Sequence, residues 1–260
     1  MPRKPLDEIR RLVGETRRTV EGFEVEAGKV EEFARAVRDD NPAHRDPTAA
    51  ADQGFERRPA PMTFTRTAYF PRYRPVGVEE IRPFDLGFRS EYSVHGKQSY
   101  EFERPVYVGD LLHADVTLTD VYQREGSAGG SMTFAEFEFE YADADGDLVF
   151  TERQTIIETD GAIDDSPDDT DVDAENDGAN FEAHHGSGGE GVTDASGTPV
   201  AGDSVAVDDG APPVVVEDLE RRDFVKYAGA SGDFNPIHYD EPYATAAGNE
   251  SVFAQGMLVA

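Results

Sequence analysis

Cysteine is missing from all 260 positions, which excludes disulfide bonds, thiolate nucleophiles and every zinc or iron–sulfur site built on sulfur. A small secreted scaffold stapled by disulfides is excluded with them. No stretch approaches the ~18 to 20 apolar residues of a membrane-spanning helix. The N-terminal MPRKPLDEIRRLVGE is charged and has no apolar signal-peptide core, so the expected location is cytoplasmic. Lysine is scarce, with only Lys4, Lys29, Lys97 and Lys226 beside 20 arginines. Basic residues as a class are outnumbered, 24 against 54 acidic ones, for a net charge of −30. Such a surface repels polyanions, which argues against nucleic acid as a partner.

The acidity has two sources. Fifteen carboxylates and no lysine or arginine fall between Asp160 and Asp209, which accounts for about half of the net charge. The rest of the chain still holds 39 acids against 24 bases, the pattern of a halophilic surface whose self-repulsion several molar salt screens to about 3 Å. The stretch from 159 to 212, built of Asp, Gly, Ser, Ala and Pro, has too few apolar residues to offset the entropy of ordering, and is expected to be a disordered linker.

On either side the pattern changes. LDEIRRLVGETRRTV and KVEEFARAVRDD have helical spacing and run into the turn-forming Asp40-Asn41-Pro42. SYEFERPVYVGDLLHADVTLTDVY, SMTFAEFEFEYAD and DLVFTERQTIIET alternate apolar with polar residues between Gly-rich turns, which predicts three strands of an antiparallel meander.

Self-comparison exposes a repeat. FARAVRDDNPAHRDPTAAADQGFERRPAPMTF, from Phe33, lies without a gap over YAGASGDFNPIHYDEPYATAAGNESVFAQGML, from Tyr227, at an offset of 194 residues. Asp39, Asn41, Pro42, His44, Asp46 and Gly54 fall on Asp233, Asn235, Pro236, His238, Asp240 and Gly248. A duplicated domain follows. The first copy continues through strands to residue 158, whereas the second, from 213, reaches only residue 260 and is expected to be incomplete: a fragment, or a domain completed by another polypeptide.

The repeated loop holds the chemistry. Pro236 stops the preceding helix, so Asp233, Asn235 and His238 sit on a tight bend that can bring carboxylate and imidazole into one small space. Such a pair can hold and deprotonate a water. The same residues can also merely cap a helix, with the imidazole packed beneath, and spacing alone leaves both readings open. Downstream, SVFAQGMLVA reads as a turn into an apolar helix whose free amides could stabilise an oxyanion, with Gly256 allowing close approach.

YAGASGDFNPIHYDEPYATAAG followed by VFAQGML closely resembles the hydratase motif of the MaoC-like, (R)-specific enoyl-CoA hydratases. APMTF, FERPVYVGDLL and the GGSMTFAEFEFEYAD and TERQTIIET segments resemble the FAS1-like dehydratase domain that precedes it in double-hotdog members. The resemblance implies an α+β hotdog fold, a central helix wrapped by an antiparallel sheet, with copies paired side by side in a homo- or hetero-oligomer. It implies hydration or dehydration of a trans-2-enoyl or 3-hydroxyacyl thioester, the substrate itself carrying coenzyme A or phosphopantetheine, with no other cofactor and no metal. Asp233 and His238 would act on the water, Asn235 would steady the loop, and the Gly256 amide would face the thioester carbonyl. Gln255 stands where relatives often have histidine. In the first copy Asp39 and His44 persist, but Pro61 and Met62 replace Gln255 and Gly256, so that copy is read as degenerate.

Other signals are weaker. Seven arginines lie between Arg57 and Arg89, and Arg57, Arg58 and Arg66 are candidates for binding the carrier's phosphates, with pairing to nearby carboxylates as the alternative. Gly186, Gly188 and Gly191 spell a dinucleotide motif without a strand before it or an apolar helix after it, and the adjacent His184 and His185 are badly spaced for metal. Asn249-Glu250-Ser251 is read as a turn, not a glycosylation site. The alternative to an enzyme is a noncatalytic hotdog subunit that needs a partner chain.

Overall fold

The computed structural model describes residues 2–89, 92–125, 130–159, 219–246, 250–255 and 258. The acidic segment at 160–212 and the motifs within it lie outside the described residues, as do Asn249 and Gly256. Five strands, β1 (Thr16–Glu24), β2 (Ser93–Phe102), β3 (Leu111–Glu125), β4 (Ser131–Ala142) and β5 (Leu148–Glu158), form one antiparallel sheet in the order β1-β3-β4-β5-β2. Helices α1 (Leu6–Arg10), α2 (Ala27–Ala36), α3 (Pro47–Asp52), α4 (Arg221–Ser231) and α5 (Glu241–Ala246) complete the regular elements.

Two expectations are corrected. The helical reading of residues 6–20 holds only for α1. Gly14, at φ 88°, turns the backbone, and the β-branched Thr16, Thr19 and Val20 lie in the extended β1, where a branched Cβ packs well. The segment from Ser99 to Tyr122, read as one strand, is the end of β2 and the start of β3. Pro105 and Gly109, at φ 91°, interrupt it, and β2 crosses to the far edge to pair with β5.

One core joins α2 to the sheet. Ala114, Val116 and Leu118 of β3 face Tyr141, Phe139 and Phe137 of β4 in register, and all six are buried. Phe33 of α2 meets Phe64 edge to face at 5.6 Å and Tyr227 of α4 at 6.0 Å. Each such ring contributes about 2–3 kcal/mol by burial. The inner face of β5 departs from simple alternation, because Glu152 and Gln154 share it with Phe150 and Ile156. Glu152 is 1% exposed and its Oε1 accepts from the Tyr69 hydroxyl at 2.9 Å and Gln98 Nε2 at 2.6 Å. Burial and that carboxylate both raise the Tyr69 pKa, keeping the phenol a donor.

The duplication extends to the backbone. At the same offset of 194, α2 falls on α4, α3 on α5, and the 3₁₀ turn Pro42–His44 on Pro236–His238. Arg38, at φ 58°, occupies the left-handed position that Gly232, at φ 78°, fills in the second repeat. The Arg38 guanidinium reaches across to the buried Asp223 of α4 at 2.5 Å, tying the two repeats together. The Glu220 amide, Lys226 and Arg38 together hold the Asp223 carboxyl down to about 2 against the opposing cost of burial.

Candidate functional site

In both repeats a helix ends, the chain turns left-handed and an Asx turn follows. Asn41 Oδ1 accepts from the Ala43 amide at 3.0 Å, and Asn235 Oδ1 from the Ile237 amide at 3.2 Å. Proline in the next position starts a 3₁₀ turn that ends on the histidine, which is buried in both copies. The Asn235 side chain closes the turn that leads into the histidine.

The two histidines share one contact and differ in the other. His44 Nδ1 bonds the Pro59 carbonyl at 2.8 Å, and His238 Nδ1 bonds the Phe253 carbonyl at 2.9 Å, again 194 residues apart. A carbonyl only accepts, so each Nδ1 carries a proton. His44 Nε2 meets a second acceptor, Asp39 Oδ2, at 2.8 Å. With acceptors on both nitrogens the ring must donate twice, which favours imidazolium. Burial alone would lower the His44 pKa, but the Asp39 carboxylate and the Pro59 carbonyl outweigh it and raise it above its ordinary value. Reciprocally, the bond from His44 holds Asp39 below the usual carboxylate range.

The second repeat is open at the same point. Asp233 and His238 are not hydrogen-bonded to each other, and His238 Nε2 has no hydrogen-bond partner among the described residues. Asp233 instead lies 3.4 Å from Arg66 Nη2 of the first repeat, and its amide donates to Ser231 Oγ at 3.2 Å. With Nδ1 donating to the Phe253 carbonyl, a neutral His238 ring keeps its lone pair on Nε2, the atom that a general base would use.

The remaining sequence candidates are placed as follows. Gln255 is 1% exposed and its Nε2 donates to the Phe224 carbonyl at 3.1 Å, so its side chain fastens the loop to α4. Arg57 pairs with Asp110 at 2.7 Å and stacks on Tyr107, tying the segment that carries Pro59 to the loop before β3. Arg58 pairs with Glu31 at 3.5 Å. Arg66 stacks on Tyr69, 4.0 Å from its ring centroid, and turns inward to Asp233. All three thus adopt the carboxylate pairing that composition left as the alternative to phosphate binding. An open groove lined by Lys29, Phe70, Arg72 and Gly229 includes none of Asp233, Asn235 and His238, and its cations are paired with Glu32 and Glu26. Among the described residues no cluster of three or more His, Asp or Glu could hold a metal ion, and no helix is long and apolar enough to cross a membrane.

Sequence reasoning missed the two backbone acceptors, which no side-chain motif records. It also missed Tyr227, whose counterpart in the first repeat is Phe33. The Tyr227 hydroxyl is buried without a hydrogen-bond partner among the described residues, close enough to Arg66 and Asp233 to feel both charges. The difference at that repeat position was the available signal.

Comparison with known proteins identifies the family. Residues 11–152 match the FAS1-like dehydratase domain region, and residues 199–260 match the MaoC-like domain. A UPF0336 protein of Mycolicibacterium paratuberculosis is 34% identical over 146 residues, 56% of this chain and 79% of the relative. A solved MaoC-like dehydratase superposes with a TM-score of 0.62 at 30% identity, covering 96% of this chain and 75% of that one. HtdX of Mycobacterium tuberculosis, at 17% identity and a TM-score of 0.55 over 94% of this chain and 72% of its own, shares the fold. With a FAS1-like region over more than half its length, a MaoC-like region after it and an Asp–His loop in each repeat, this chain belongs to the FAS1-like, MaoC-like dehydratase family.

Proposed function

We propose that the chain is a hydratase or dehydratase acting on a trans-2-enoyl or 3-hydroxyacyl thioester, with coenzyme A or an acyl carrier as the thiol. The observation that carries this reading is the uncommitted His238 Nε2 on the same Asx-turn loop as Asp233, in contrast to the closed pair of the first repeat. In the hydration direction Asp233 and His238 hold a water. His238 Nε2 takes one of its protons while the oxygen bonds to C3, and the electron pair of the C2–C3 double bond moves toward the thioester carbonyl. The proton then passes to C2, so that one water has been added and the ring is neutral again. The backbone amide at Gly256 is the candidate donor to the developing oxyanion.

The test is hydration of crotonyl-CoA followed by loss of enoyl absorbance, in high salt to suit the acidic surface. Asp233→Asn and His238→Ala should each lower kcat/KM by at least ~100-fold; unchanged turnover in either would end the assignment. A second reading, a subunit active only with a partner chain, is favoured by the exposed Val225, Phe234 and Phe253 of the second repeat. Under it, turnover would arise only in the complex.

A further inference from the structure

We infer that Arg66, carried by the first repeat, is a positioning residue for Asp233 of the second, keeping that carboxylate from closing onto His238 as Asp39 closes onto His44. The two loops have the same Asx turn, the same 3₁₀ turn and the same carbonyl on Nδ1. With so much held constant, the different partner of the aspartate needs a separate cause. Arg66 is that difference: its guanidinium lies 3.4 Å from Asp233 Oδ2, and among the described residues no cation of the second repeat pairs with Asp39. Its own position is fixed by the 3₁₀ turn Phe64–Tyr69 and by stacking on Tyr69. Both partners are largely withdrawn from solvent, at 19% and 21% side-chain exposure, so screening weakens the attraction less than at a surface.

The consequence is chemical. A carboxylate on Nε2 would give His238 two acceptors, make it a double donor like His44 and remove the lone pair that must take the water's proton. By holding Asp233 aside, Arg66 leaves both groups facing the water. The Tyr227 hydroxyl, present only in the second repeat, is close enough to Arg66 and Asp233 to feel the charge of each.

This inference rests on the proposed hydratase reading for its kinetic arm but not for its structural arm. In the full chain, Arg66→Met should lower crotonyl-CoA kcat by about 10- to 100-fold with KM changed less than about threefold, and Arg66→Lys should recover at least a third of parent turnover. Independently of activity, ¹⁵N NMR of the histidine rings should show His238 Nε2 of Arg66→Met moving to the donating signature of His44. Circular dichroism separates these effects from loss of fold; if Arg66→Met does not fold, the same two readouts are taken on Arg66→Gln. An unchanged His238 signal in a folded variant overturns the inference, even if the parent has no hydratase activity. A parent that is inactive while the ring signal shifts overturns the function and leaves the positioning role standing.

Discussion

The loops at Asp39–His44 and Asp233–His238 are built on one plan and end with different partners for the aspartate and the histidine. In the first, carboxylate and carbonyl occupy both imidazole nitrogens, and the half-buried pair ties the end of α2 to the segment around Pro59. In the second, only the carbonyl is engaged, and the carboxylate faces a cation from the other repeat. A motif proposed to hold a catalytic dyad in one copy is thus a structural clasp in the other. What separates them is the partner offered to the aspartate, not the residues of the motif.

The largest expected contrast is between the histidines. His238→Ala should abolish turnover with a small change in thermal midpoint, whereas His44→Ala should leave kcat/KM within about twofold and cost about 2–3 kcal/mol, since it leaves the Pro59 carbonyl and Asp39 without their donor. Paired kinetic and denaturation measurements decide this, and equal kinetic losses would erase the distinction between the copies. Next is the left-handed turn. Gly232→Ala places a Cβ at positive φ and 3.0 Å from the Phe70 ring, and should destabilise by about 1–2 kcal/mol in urea titration. The matching Arg38→Gly relieves strain but removes a bond to the buried Asp223, so the two effects should offset to within about 1 kcal/mol.

A smaller effect is set by pH. His44 titrates above its ordinary 6.5, so its protonated form stabilises the fold fully below that value and loses the contribution as pH rises through the raised pKa. Asp39 titrates below its ordinary 3.8, so its contribution is present above that value and lost as pH falls through the lowered pKa. The gap in thermal midpoint between parent and Asp39→Asn should therefore be widest from about pH 4 to about 6.5 and narrow above it. A gap independent of pH would show that the clasp does not depend on an ionised pair.

Much of this was legible in the residues. The offset of 194 placed both loops as corresponding bends, because asparagine, proline and glycine act through local backbone geometry. The meander of β3, β4 and β5 followed from period-two alternation. Illegible were the strand Thr16–Glu24, where arginine and threonine fit helix and strand alike, and the break at Pro105–Gly109 that sends β2 to the far edge. Glu152 on an inner face was hidden too, since its burial is made tolerable by Tyr69 and Gln98, 83 and 54 residues away, together with its neighbour Gln154.

The sequence by itself determined the family, the repeat and the identity of the groups that can do chemistry, because each is written in short-range patterns of residue type. Tertiary structure alone decided which histidine keeps a basic nitrogen. That outcome turns on the partner of the aspartate, which for Asp233 is a guanidinium 167 residues away, and a hydrogen bond is made or withheld by distances of a few tenths of an ångström that no local pattern specifies.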